Sequence, residues 1–121
     1  MWIVIGLAVL LVAAIVAWTL TRPRALCKLT FREGEDVGLD FLIYGPVSSI
    51  GSEEGQTVVI SHPGVSRHHA DLVLEDDRFI LRDRSKLGTL VNGRPITEVA
   101  LRSGDLIRLA DSVDLIFTRL G

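Results

Sequence analysis

The sequence predicts an all-β sandwich domain preceded by one transmembrane α-helix, on three observations. Residues 1–21 carry no charged side chain, whereas all 13 Lys+Arg and 15 Asp+Glu lie in residues 22–121. From residue 26 onward, apolar side chains alternate with the two-residue period of a strand. Clusters of turn-forming residues interrupt that alternation at short intervals. With 121 residues in all, the chain has room for one domain. The reading divides it into a transmembrane helix at 1–21, a linker at 22–25 and a β-sandwich at 26–121.

Trp2 to Leu20 reads WIVIGLAVLLVAAIVAWTL, broken only by Gly6 and Thr19. At roughly 1.5 Å per residue, a helix of that length spans about 30 Å, the hydrocarbon thickness of a bilayer. Trp2 and Trp18 sit near its two ends, where indole rings favour the headgroup level. The run is apolar on every side, unlike an amphipathic surface helix. A cleaved signal peptide would have a basic stretch before the apolar one, and the first basic residue is Arg22. The nearest side-chain charges, Arg22 and Arg24, follow the helix, so the positive-inside rule puts the N-terminus outside and the β domain in the cytoplasm. Four linker residues reach at most about 14 Å, which keeps the domain near the membrane surface.

Beyond the linker, Cys27, Leu29 and Phe31 alternate with Lys28, Thr30 and Arg32. Leu39, Phe41 and Ile43 do so with Asp40, Leu42 and Tyr44, and Ala70, Leu72 and Leu74 with His69, Asp71 and Val73. Val113, Leu115 and Phe117 close the series, against Asp114, Ile116 and Thr118. Each set predicts a strand with one buried face. Glu33-Gly34-Glu35-Asp36 and Glu75-Asp76-Asp77 read as turns. Asn92-Gly93 is the strongest turn signal, because the pair tolerates the two positive φ angles of a type I′ hairpin. Many short strands at this spacing predict a sandwich.

Net charge is −2 with no basic block, which speaks against nucleic acid as a partner. Cys27 is the only cysteine, so neither an intrachain disulfide nor a cysteine-based zinc site can form. On its strand it reads as a small buried hydrophobe. His62, His68 and His69 lack a further ligand at metal-binding spacing and read as exposed loop histidines, so no metal or cofactor is expected. Glu75-Asp76-Asp77 reads as a solvated turn, lacking the further oxygens calcium needs. Ser66 and His69 could tempt one toward a hydrolase, but no oxyanion-hole motif accompanies them, and no catalytic residue is assigned.

Four short motifs fall in order along the domain. They are Ile50-Gly51-Ser52; Val65-Ser66-Arg67-His68-His69-Ala70; Asp83-Arg84-Ser85-Lys86-Leu87-Gly88-Thr89-Leu90-Val91-Asn92-Gly93; and Leu101-Arg102-Ser103-Gly104-Asp105. In sequence and spacing they resemble the forkhead-associated (FHA) domain, and the resemblance covers most of residues 26–121. It implies an eleven-stranded sandwich that binds phosphothreonine peptides on its apical loops. A phosphate dianion needs convergent donors, which arginine forks, hydroxyls and backbone N–H groups supply. By resemblance, Ser66 donates to the phosphate with Arg67 beside it, and Lys86 stands where a second polar contact is common. His69 braces the loop without touching ligand, and Gly51, Gly88, Asn92 and Gly93 serve backbone geometry.

Two positions depart from that pattern. Where the family carries a phosphate-gripping arginine this chain has Ser52, followed by Glu53 and Glu54. Leu87 replaces the asparagine that clamps the peptide backbone. Losing one charge-assisted hydrogen bond costs about 1.5–3 kcal/mol, or roughly 10- to 150-fold in affinity. The sequence therefore predicts a membrane-anchored protein-interaction module, a small subunit or adaptor of a membrane complex. Its partner is a protein at or in the membrane, held largely without phosphate. A membrane-tethered phosphothreonine reader is the alternative, and a hydrolase is a remote third.

Overall fold

A computed structural model describes residues 12–13, 23–32, 38–111 and 113–121. The apolar run at 1–21 lies outside the described residues except for Val12 and Ala13, which are helical. No helix among the described residues is long and apolar enough to cross a membrane. The turn expected at Glu33-Gly34-Glu35-Asp36 also lies outside them.

Eleven strands are described: β1 (Cys27–Phe31), β2 (Leu39–Ile43), β3 (Val47–Gly51), β4 (Val58–Val59), β5 (Ala70–Glu75), β6 (Arg78–Asp83), β7 (Thr89–Val91), β8 (Arg94–Pro95), β9 (Glu98–Ala100), β10 (Leu106–Leu109) and β11 (Val113–Arg119). One sheet has the order β2-β1-β11-β10-β7-β8 and the other β4-β3-β5-β6-β9. Within them, β3 and β4 pair in parallel. The facing sides supply the core, as the alternation requires: Cys27, Leu29, Ile107, Leu109, Val113, Leu115 and Phe117 from the first sheet, Ile50, Leu72, Phe79 and Leu81 from the second. Phe79 and Phe117 meet across the layer with ring centroids 5.2 Å apart, a tilted contact worth about 0.5–1.5 kcal/mol beyond its area.

The alternation fails at Leu39. Ile43 is buried and Phe41 half-buried, but Leu39, at the apical start of β2, is 53% exposed; among the described strands β2 is an edge. Both hairpin turns sharpen the sequence reading. Asn92 and Gly93 have φ of +52° and +81° between the paired residues Val91 and Arg94, as a type I′ turn requires. Asp76 and Asp77, at +49° and +65°, form a second such turn. Glu75 belongs to the strand and pairs with Arg78. Pro95 lies on the edge strand β8, where its missing N–H costs no ladder bond.

The register sets the two ends of the sandwich. β3 finishes, β5 starts and β6 finishes together, through the pairs Ile50 with Ala70 and Ala70 with Asp83. The connections 52–57, 60–69 and 84–88 therefore crowd one apical end. At the opposite end, the base, Leu26 donates to the Ile43 carbonyl (2.7 Å) and Leu120 to that of Leu26 (3.0 Å). Arg119 bridges there to Asp77 and lies over the Phe79 ring. The chain thus leads into the domain at the base, a strand's length (roughly 17–20 Å) from the apical loops.

Candidate functional site

The apical end is assembled around a missing side chain. A Cβ on Gly51 would lie 1.9 Å from the Arg67 carbonyl oxygen, so only glycine lets residues 65–67 pack on the end of β3. Backbone bonds close that contact: Ser52 N to Ser66 O (3.0 Å), Glu53 N to Arg67 O (3.3 Å) and His69 N to Ile50 O (2.7 Å).

His69 joins this loop to the next. The Ser66 amide donates to Nδ1 at 3.0 Å, which makes Nδ1 the acceptor and leaves the proton on Nε2, donated to the Gly88 carbonyl at 3.1 Å. The ring is fully buried, a correction to the expectation of three exposed loop histidines. Both nitrogens have backbone partners, so burial is satisfied rather than penalised. Burial lowers its pKa, outweighing the opposing pull of the Gly88 carbonyl and Asp83. With both nitrogens engaged, the ring cannot also accept the Ser66 hydroxyl proton, so the two do not form a nucleophile–base pair.

Asp83 organises the 84–88 loop. Its Oδ1 accepts from Ser85 N (3.0 Å), Ser85 Oγ (2.6 Å) and Thr89 Oγ1 (2.9 Å), and Ser85 Oγ in turn accepts from Gly88 N (2.8 Å). Burial pushes the Asp83 carboxyl up, but these bonds and nearby His69 hold it below its ordinary value. Gly88, at φ +99°, makes the turn into β7. The Lys86 amide then donates to Ser66 Oγ at 3.1 Å. No acceptor among the described residues takes the Ser66 hydroxyl proton, so that O–H is available to a ligand.

Ser52, Ser66, Arg67, Lys86 and Leu87 thus come together on one braced surface. Arg67 and Lys86 are exposed, without ion-pair partners among the described residues, and Glu53 and Glu54 are exposed beside Ser52. Leu87 is 70% exposed, the highest figure among the large apolar side chains described. Asn92 and Gly93 lie apart from this surface. Asn92 donates to Asp105 (3.0 Å) and accepts from the Leu106 amide (3.0 Å), tying its hairpin to the β9–β10 connection. Among the described residues, no three His, Cys, Asp or Glu side chains converge as metal ligands would.

The family model for the FHA domain matches residues 48–110, just over half of the chain. The chain belongs to the FHA domain family. Glycogen accumulation regulator GarA of Mycolicibacterium smegmatis is 31% identical over 88 residues, 72% of this chain and 56% of that protein. The chain therefore spans little more than half the length of that curated relative. Among solved structures, one from a study of phosphothreonine-dependent FHA domain interactions superposes with a TM-score of 0.70 at 28% identity, covering 78% of this chain and 97% of that one. EmbR of Mycobacterium tuberculosis, solved in complex with a low affinity phosphopeptide, gives 0.71 at 28% identity over 81% of this chain and 26% of its own. The FHA fold and its role as a protein-interaction module follow.

Asp83 and Ser85 carry more of this FHA site than the sequence reading allotted them. The Asp-x-Ser spacing was the available signal, since aspartate and serine at that separation form local turns. Beside the site, Asp71 holds His68 (2.5 Å), three residues before it, and Arg84 (3.1 Å). Arg84 had no comparable signal, since only the β5–β6 pairing brings it to Asp71.

Proposed function

We propose that this FHA domain binds a segment of a partner protein on its apical loops, largely without phosphate, while residues 1–21 hold it at a membrane. The observation that carries this reading is Leu87, an apolar side chain 70% exposed at the tip of a loop otherwise fixed by hydrogen bonds. Covering a leucine contributes about 1.5–3 kcal/mol, comparable to the charge-assisted bond that Ser52 cannot make. Glu53 and Glu54 disfavour a phosphate by up to about 1 kcal/mol each at 4 Å in water. Arg67 and Lys86 offset that repulsion without supplying a bidentate grip at position 52.

The module would serve as a small subunit or adaptor of a membrane complex, with its N-terminus outside and its FHA domain cytoplasmic. The apolar run and the positions of Arg22 and Arg24 support that topology. Pull-down of the full chain in detergent, with and without phosphatase, tests the binding mode. Partners that survive phosphatase support the proposal, and partners lost with it overturn the proposal. Protease added to right-side-out vesicles should spare residues 26–121; digestion there would reverse the topology.

Phosphothreonine reading is the second proposal, favoured by the Ser66 hydroxyl. Its oxygen is fixed by the Lys86 amide with the proton still to donate. Under this reading, Arg67 and Lys86 supply the charge.

A further inference from the structure

We propose that two copies of this chain pair side by side in one membrane through the outer face of the second sheet. This rests on the reading of residues 1–21 as a membrane anchor. The strand register lays that face out in three rows. Ser49, Asp71, Arg82 and Glu98 form the apical row, and Val47, Val73, Ile80 and Ala100 the middle one. Glu75 and Arg78 form the third, toward the base. Their chain neighbours Ser48, Leu72 and Leu81 are buried on the other side, so the three rows share the outward face. The middle row is apolar throughout, with Val47 68% exposed, Ala100 exposed, and Val73 and Ile80 half-buried. An apolar row rimmed by charged ones is the pattern of an interaction surface.

The charges decide what covers it. Asp71, Glu75 and Glu98 are matched in number by Arg78, Arg82 and Arg84, so the face does not repel its own copy. Within one copy, Arg84 pairs with Asp71, and Arg82 with Glu75 and Glu98. A two-fold axis along the strands, between β5 and β6, exchanges β5 with β6 and β3 with β9. It sets Asp71 against the second copy's Arg82, and Glu75 against its Arg78. Val73 then meets Ile80, the larger Val47 meets the small Ala100, and the Ser49 hydroxyl meets the Glu98 carboxylate. An axis across the strands would instead set Asp71 against Glu75 and Arg82 against Arg78, like against like. The face is self-complementary only about the axis along the strands.

That axis is also the one a shared membrane permits. It points both bases, and so both linkers, into the same bilayer. The matched face spans about 300–400 Å² per copy, from strand spacings of ~4.8 Å and rises of ~3.4 Å per residue. A stable complex buries about 800 Å² per partner, so free domains pair weakly. Anchors that hold two copies at one height supply the local concentration that pairing needs. Both apical surfaces then point away from lipid, where two segments of one partner can be held together.

The test uses the full chain in phosphatidylcholine vesicles, with Val47→Cys and Ala100→Cys on separate copies and a short bis-maleimide as crosslinker. Cys27 stays unreacted, because it is fully buried and burial pushes its thiol up to about 11. Positions 47 and 100 lie at opposite ends of the row, so like positions in a pair stand about 14 Å or more apart. Only the mixed pair comes within the crosslinker's reach. The mixture should give roughly threefold or more crosslinked dimer than either variant alone. Glu75→Arg on the Val47→Cys copy should cut that yield roughly threefold, and Arg78→Glu on the Ala100→Cys copy should restore it. Glu75 and Arg78 are both exposed, so the exchange leaves the fold intact. Equal yields from the mixture and the single variants, or a charge exchange without effect or without rescue, would overturn the pairing while leaving the anchor standing. Chains that fail to float with the vesicles would overturn the anchor, and the pairing with it.

Discussion

The Ser66 amide and the Gly88 carbonyl are held by opposite nitrogens of one buried imidazole, His69, at 3.0 and 3.1 Å. One side chain thus sets the spacing of the two loops that carry Ser66, Lys86 and Leu87. Its replacement should be costly. His69→Ala leaves a buried donor and a buried acceptor without partners and opens a cavity, for an expected loss of about 3–5 kcal/mol. Thermal melting of fragment 25–121 checks this.

The same ring should give stability a pH dependence. Its folded pKa lies below 6.5, so on acidification through 6.5 the unfolded chain takes up a proton that the folded chain refuses. Stability at this group is complete above 6.5 and declines as pH falls toward the lower folded value. Asp71 and Asp83, held below 3.8, lose their contributions only beneath that value, in a separate window. Melting across pH should show the upper decline in wild type, and His69→Gln should abolish it.

Two glycines offer a matched pair. Gly51→Ala forces a methyl into the Arg67 carbonyl at 1.9 Å, a backbone clash expected to cost at least about 3 kcal/mol. Gly45→Ala meets nothing closer than the Val47 carbonyl at 3.9 Å and should change stability by less than about 0.5 kcal/mol. Equal melting temperatures for the two variants would contradict the packing of residues 65–67 on β3.

At the Asn92-Gly93 turn, Gly93→Val puts a β-branched residue at φ +81°. A loss well above about 1 kcal/mol is expected. Denaturant titration checks it, and an unchanged midpoint would contradict the turn.

The sandwich was legible because its signals are local. The period-2 runs ending at Ile43, Leu74 and Phe117, and the Asn92-Gly93 pair, each decide structure within a few residues. The motif spacings then place Ser52, Ser66 and Lys86 on neighbouring loops. What escaped was non-local. Exposure of Leu39 depends on its place at the apical start of β2, an edge strand among those described, and satisfaction of buried His69 depends on a carbonyl 19 residues away. The Arg84–Asp71 pair requires the β5–β6 register. The local pattern around each residue carries no trace of these partners, so a histidine next to a strand read as exposed, and only the FHA resemblance gave His69 a bracing role.

Ser52→Arg should restore a bidentate donor near Ser66 and raise affinity for phosphothreonine peptides by roughly tenfold or more. The gain should shrink as salt rises, less so than for a fully exposed pair. Titration at two ionic strengths checks this. No gain would mean that position 52 does not face the phosphate.

The central claim is that the apical loops hold their partner largely without phosphate. The most direct measurement takes the best peptides from an array screen and titrates fragment 25–121 with each in threonine and phosphothreonine form, alongside Ser66→Ala. Phosphorylation should change affinity by less than about tenfold, or 1.4 kcal/mol, phosphothreonine peptides should bind no tighter than high micromolar, and Ser66→Ala should bind nearly as wild type. Tight binding of a phosphothreonine peptide, lost both on dephosphorylation and in Ser66→Ala, would contradict it.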